Sequence, residues 1–232
     1  IVRAKDESLY AAEALLRIHD KNGNFISPAE AIPILEESGL IIPVGKWIIQ
    51  NAFSMCTECR KYYPEFRVSI NLSYVQILKS PLMMELKQMI EHSGISCSGI
   101  IVELTESGYL EGTPAVRSVW NDMKQLRIQI ALDDFGTGYS NLMNISNLEP
   151  DIVKLDRGFT LKALSRSYEY QLMQYVIEMV HKLNQYVCVE GVETKEDLEK
   201  IKALGPDLIQ GYYYSKPCSR DEFLKKFFGY SE

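Results

Sequence analysis

Apolar runs in this chain stop repeatedly at an acid or an amide, and an amphipathic helical pattern follows most of those stops. The stops are Glu13-Ala14-Leu15-Leu16-Arg17, Asn71-Leu72-Ser73, Glu103-Leu104-Thr105-Glu106-Ser107, Asp133-Asp134-Phe135-Gly136-Thr137-Gly138, Lys154-Leu155-Asp156 and Glu190-Gly191-Val192-Glu193. An alternation of strand and helix in which each strand ends on a functional side chain describes a parallel barrel that delivers those side chains to one rim.

Periodicity predicts strands over 9–16, 67–72, 100–104, 129–133, 152–155, 187–189 and 208–210, and helices over 44–62, 81–92, 114–126, 166–184 and 194–204. Runs such as Ile100-Ile101-Val102 are apolar without alternation, as expected where both faces of a parallel strand are covered. The fold class is therefore α/β. Seven strands are one short of an eight-stranded barrel, and the opening Ile1-Val2 reads as the tail of a first strand. We expect residues 1–232 to form one domain excised from a longer multidomain protein.

Length and composition set outer bounds. With 232 residues, 46% hydrophobic and 24% charged, the chain can bury one large core, and it has no low-complexity linker. No apolar stretch is long enough to span a bilayer, and no signal peptide is visible. A formal charge of -6 argues against a DNA or RNA duplex as partner. Five cysteines, an odd number without scaffold spacing, suit a reducing cytoplasm, although a longer parent protein could be membrane-anchored. Cys56 and Cys59 form a lone C-x-x-C in a helix-like segment, while the histidines His19, His92 and His181 are scattered. Two buried cysteines on one helix face describe that pair better than a zinc or redox site.

So many acids on one rim need cations or protons, because two unit charges about 4 Å apart repel by about 4 kcal/mol at an effective dielectric of about 20. Oxygen donors with one Asn and neither Cys nor His select Mg²⁺ or Mn²⁺ over zinc. The adjacent Asp133 and Asp134 suit two ions, one carboxylate bridging and its neighbour holding one. Two divalent ions about 3.5–4 Å apart suit in-line displacement at phosphorus. Lys154 would orient groups among the acids. The Asp-Phe-Gly at 134–136 is no kinase signature, since neither an H-R-D loop nor a G-x-G-x-x-G precedes it.

Taken in this order, the motifs resemble the EAL domain family, bacterial phosphodiesterases that hydrolyse cyclic diguanylate (cyclic di-GMP) to linear pGpG. The likeness runs from Glu13-Ala14-Leu15 to Gln210-Gly211-Tyr212 and Lys216-Pro217. It implies a modified TIM (β/α)8 barrel whose first strand is antiparallel to the rest and largely missing from the chain start. It also implies Glu13, Asn71, Glu103 and Asp133 as ligands of one divalent metal, with Asp133 and Asp134 as ligands of the second. Glu190 matches the residue assigned to water activation or second-metal coordination, and Lys154 the lysine near the attacking water. Arg17 matches the arginine that meets a substrate phosphate. Leu15, Gln210 and Pro217 fall at further substrate-binding positions. Glu106 matches the acid that positions the glycine-containing loop, and Asp156 and Glu193 flank the site.

The same resemblance implies a homodimer, Ca²⁺ as an inhibitor, and GGDEF or sensor domains in the parent protein. The family's Gln-Pro-Ile before Val2 is absent or reduced to Ile1, Ile18 replaces a frequent Trp, and Val189 replaces a frequent Ala. The rival reading is an EAL-like receptor that binds cyclic di-GMP without cleaving it. A barrel enzyme acting on another phosphodiester is a third.

Overall fold

The computed structural model describes residues 1–105, 113–137 and 148–229. In chain order its strands are β1 (Val2–Arg3), β2 (Ala11–Ala14), β3 (Ile18–His19), β4 (Phe25–Ile26), β5 (Arg67–Asn71), β6 (Ile100–Thr105), β7 (Gln129–Phe135), β8 (Ile152–Leu155), β9 (Tyr186–Glu190) and β10 (Leu208–Gln210). The helices are α1 (Pro28–Glu37), α2 (Ile41–Cys59), α3 (Tyr74–Lys79), α4 (Leu82–Ser93), α5 (Pro114–Gln125), α6 (Arg157–Ser165), α7 (Ser167–Lys182), α8 (Lys195–Ala203) and α9 (Arg220–Phe228).

The chain divides into two compact units. The first comprises Ile1–Ala12, Thr105–Leu110 and Gln129–Glu232. Its strands run in the order β1-β10-β9-β8-β7. β1 is antiparallel to β10, pairing Val2 with Ile209 and Arg3 with Leu208, while β10, β9, β8 and β7 are mutually parallel. The expected antiparallel first strand is thus present as a two-residue piece, anchored where the Ile1 nitrogen donates to the Ala11 carbonyl at 2.9 Å. All four residues of β8 are buried, Lys154 among them, as expected of a parallel strand covered on both faces.

The second unit comprises Glu13–Leu104 and Glu111–Ile128. β5 and β6 pair in parallel, with Asn71 opposite Glu103. Fully buried Cys56 and Cys59 both lie on α2, and Cys56 Sγ sits 3.6 Å from the Gly99 carbonyl, as expected of packing cysteines. Burial pushes the Cys56 thiol up to about 11. β3 and β4 form a small antiparallel hairpin that periodicity did not predict.

Strand ends are followed closely by helix caps. Ser73, two residues after Asn71, forms a capping box with Gln76 at the start of α3. Asp156, two residues after Lys154, accepts from the Gly158 and Phe159 amides and caps α6. Thr194, four residues after Glu190, forms a capping box with Asp197 on α8. Each of these three strand-end side chains is therefore tied to a helix that starts within one short turn of it. The predicted helix over 166–184 is α7 alone, separated from α6 by extended backbone at Arg166.

Candidate active site

In the first unit, β7, β8 and β9 carry Asp133, Lys154 and Glu190 at their C-terminal ends. Lys154 Nζ lies 3.0 Å from Asp133 Oδ1 and 2.7 Å from Glu190 Oε1. The lysine side chain is only 2% exposed. A buried ammonium survives when carboxylates compensate its lost hydration, and one lysine between two acids leaves a formal charge of −1. The trio thus keeps a net negative charge while its own ion pairs fix the side-chain positions.

Consecutive residues on a regular strand point to opposite faces, so Asp133 and Asp134 could not share a site on an ideal β7. A bulge alters this. Leu132 pairs with Val153 but Phe135 pairs with Leu155, so β7 spends one extra residue over the same stretch of β8. Asp134 takes up the excess at φ +59, a left-handed conformation that Asp tolerates better than most residues. Asp133 is buried and Asp134 exposed.

In the second unit, Asn71 Nδ2 donates to Glu13 Oε1 at 2.7 Å. The amide oxygen of Asn71 is the atom of this side chain that could face a cation. Glu103 is 1% exposed, and the Ser69 hydroxyl donates to its Oε1. Ser69 lies two residues before Asn71, on the same face of β5. The sequence reading missed it; a lone hydroxyl in the apolar run Val68-Ser69-Ile70 was the available signal.

The other expected site residues are placed as follows. Arg17 Nη1 donates to the Leu16 carbonyl at 2.9 Å, and its guanidinium stands 5.9 Å from the Phe25 ring centroid. Leu15 and Pro217 are exposed, and Gln210 is half-buried at the end of β10. Asp156 spends its carboxylate on the α6 cap. Glu193 accepts from Arg157 Nε at 3.1 Å and Nη2 at 2.7 Å. Glu106 and residues 138–147 lie outside the described residues.

Among the described residues, no three Asp, Glu, His or Cys side chains converge closely enough to cage an ion by themselves. The all-oxygen donor set fits Mg²⁺ and Mn²⁺ equally.

Comparison with known proteins places these features in context. The EAL domain family profile matches residues 1–217. The cyclic di-GMP phosphodiesterase PdeF of Escherichia coli strain K12 is 32% identical over 205 residues, covering 88% of this chain and 27% of PdeF. The chain therefore spans about a quarter of that relative. The solved EAL enzyme Bd1971, in its cAMP- and cyclic-di-GMP-bound form, superposes with a TM-score of 0.92 at 30% identity, covering 97% of this chain and 62% of that one. The MucR phosphodiesterase in complex with c-di-GMP, from a Pseudomonas aeruginosa protein, gives a TM-score of 0.89 at 27% identity, covering 96% and 91%. The α/β TIM-barrel class expected from the sequence, with its first strand antiparallel to the last, is the fold these structures share with it.

Proposed function

Since the chain belongs to the EAL domain family, we propose that it hydrolyses cyclic di-GMP to linear pGpG with two divalent cations, Mg²⁺ or Mn²⁺. The observation that carries this reading is the buried Lys154 between Asp133 and Glu190. A structural lysine would normally lead its ammonium out to water; this one is held at the ends of three adjacent strands, where catalytic side chains belong in a barrel.

In this reading Glu13, Asn71, Glu103, Asp133, Asp134 and Glu190 would hold the two cations, as the family resemblance implies. When bound, the cations supply a water of lowered pKa and neutralise charge on the phosphate oxygens. The chain's own groups do the rest. Glu190 accepts the water proton as general base. Lys154, paired with both carboxylates, would orient that water. Arg17 meets a non-bridging phosphate oxygen, its guanidinium steadied by the face of Phe25. Leu15, Gln210 and Pro217 line the nucleotide. Asp156 and Glu193 support the loops, and Glu106 supports the loop after Asp134.

A second copy of the chain is the proposed partner. Tyr168, Leu172 and Tyr175 of α7 are 73%, 42% and 66% exposed and recur at i, i+4 and i+7. Such a stripe on a soluble helix suits burial against another apolar surface.

The deciding experiment incubates the purified chain with cyclic di-GMP and Mn²⁺ and follows products by chromatography. Appearance of pGpG, abolished by chelation, is the expected outcome. Tight binding without pGpG under the same conditions would make the chain a receptor and overturn the proposal.

A further inference from the structure

The turn after Glu190 is wedged between two parts of the first unit. On one side, Val192 N donates to the Gln210 carbonyl at 3.3 Å and Tyr213 N donates to the Val192 carbonyl at 3.0 Å. Gly211 is the residue that permits this approach, because a Cβ there would overlap the Val192 carbonyl oxygen. On the other side lies Arg157. Gly191 has φ +79, and a Cβ on it would overlap Arg157 Cγ and stand 2.9 Å from Arg157 Cβ. The arginine stem therefore rests directly on the Gly191 backbone.

The head of the same arginine is fixed by Glu193 through Nε and Nη2. Residues 154 and 157 thus meet residues 190 and 193, three residues apart in each segment, so the two stretches are clamped at two points. The inner contact is the buried Lys154–Glu190 pair. The outer contact is exposed, with side chains 57% and 37% accessible. An exposed ion pair of this kind contributes little to stability. Its geometry matters for another reason: it presses the arginine stem onto the peptide that immediately follows Glu190.

We propose that Arg157, pinned by Glu193, is a positioning residue that holds the 190–193 turn and through it sets the carboxylate of Glu190. This rests on the reading of Glu190 as the base for cyclic di-GMP hydrolysis. Arg157 touches neither substrate nor water in this scheme. It acts through the backbone, as supporting groups around a reactive carboxylate commonly do.

Two independent readouts on Arg157→Ala, Arg157→Lys and the control Arg166→Ala test the idea. Arg166 makes a surface pair with Glu169 and has no part in the site. Amide hydrogen exchange in residues 190–193 requires no activity: it should quicken in Arg157→Ala, while the interior of β9 stays protected. With Mn²⁺ and cyclic di-GMP, kcat should fall about 10- to 100-fold in the same variant. KM should stay within about threefold, because ground-state binding is not what Arg157 supports. Arg157→Lys keeps an aliphatic stem over Gly191 and should recover part of both losses, and Arg166→Ala should match the parent. Should Arg157→Ala fail to fold, Glu193→Gln leaves the stem in place and should give a smaller loss of the same sign. Parent-like exchange and kcat in the Arg157 variants, or an equal loss in Arg166→Ala, overturns the proposal. If the parent protein cleaves no cyclic di-GMP, the functional reading falls, while the exchange data still decide whether the clamp exists.

Discussion

Lys154 pairs in register with Cys188, and its ammonium nevertheless ends 2.7 Å from the carboxylate of Glu190, two residues further along β9. The side chain thus leans toward the C-terminal end of the strands, where Asp133 Oδ1 also meets it at 3.0 Å. One cation organises two acids from its neighbouring strands. Removing it leaves both acids without that compensation, and breaking a buried pair from one side costs on the order of 3–5 kcal/mol. Discounted for the partial exposure of the two acids, Lys154→Met should lose about 1–3 kcal/mol in urea unfolding and nearly all pGpG formation. Retention of both parent stability and parent turnover contradicts the assignment.

Asp133→Asn keeps the shape of the side chain and removes the charge that a bridging ligand supplies. Turnover is expected to collapse with the circular dichroism unchanged, because residues at strand ends of this fold serve chemistry more than stability. Hydrolysis within a few-fold of the parent refutes the ligand role.

Glu190→Gln should bind cyclic di-GMP with near-parent affinity and lose most of kcat, the signature of an interaction needed only in the transition state. Calorimetric titration in parallel with single-turnover kinetics separates the two quantities. Lost affinity with residual turnover at saturating substrate would make Glu190 a binding residue.

Ca²⁺ accepts longer bonds and more ligands than Mg²⁺, about 2.3–2.6 Å against about 2.0–2.1 Å. It should therefore support binding, fail to support cleavage, and compete with Mg²⁺. Full-rate cleavage in Ca²⁺ alone rules out the two-cation scheme.

Cys56 combines complete burial with a thiol pushed up to about 11. Because only the thiolate reacts, iodoacetamide at pH 8 should label exposed Cys218 and spare Cys56 until the protein is unfolded. The sign for stability follows from the raised pKa. The folded state favours the neutral thiol, so this contribution is complete below the unfolded value and declines as pH rises from about 9 toward about 11. Urea midpoints of parent and Cys56→Ala compared across that window should converge as pH rises. Labelling of Cys56 in the native protein at pH 8 contradicts the reading.

The sequence carried the architecture wherever periodicity and burial coincide. The strands over 152–155 and 208–210 are β8 and β10 to the residue, since a short apolar run ended by a polar stop has few other readings. α2 starts at Ile41, earlier than the predicted 44, because Pro43 is acceptable in the first turn of a helix. The hairpin of β3 and β4 was illegible, as two-residue strands carry no period. Asp133-Asp134 looked like a strand stop, and the strand in fact continues through its bulge to Phe135. Arg157 and Glu193 are 36 residues apart, and nothing local to either announces the other. Such pairs become visible only after the topology has placed two strand ends side by side.

The bulge at Asp134 also makes the aspartate pair a question of chain length. Phe135, which is 3% exposed, owes its inward position to the extra residue before it. A chain shortened by one aspartate would keep an acid at position 133 yet face a choice: either the ring turns outward, or the register with β8 slips by one. Substitution at Asp134 leaves that count intact, whereas deletion does not. An insertion or deletion in this stretch should therefore disturb the fold more than a substitution at Asp134 does.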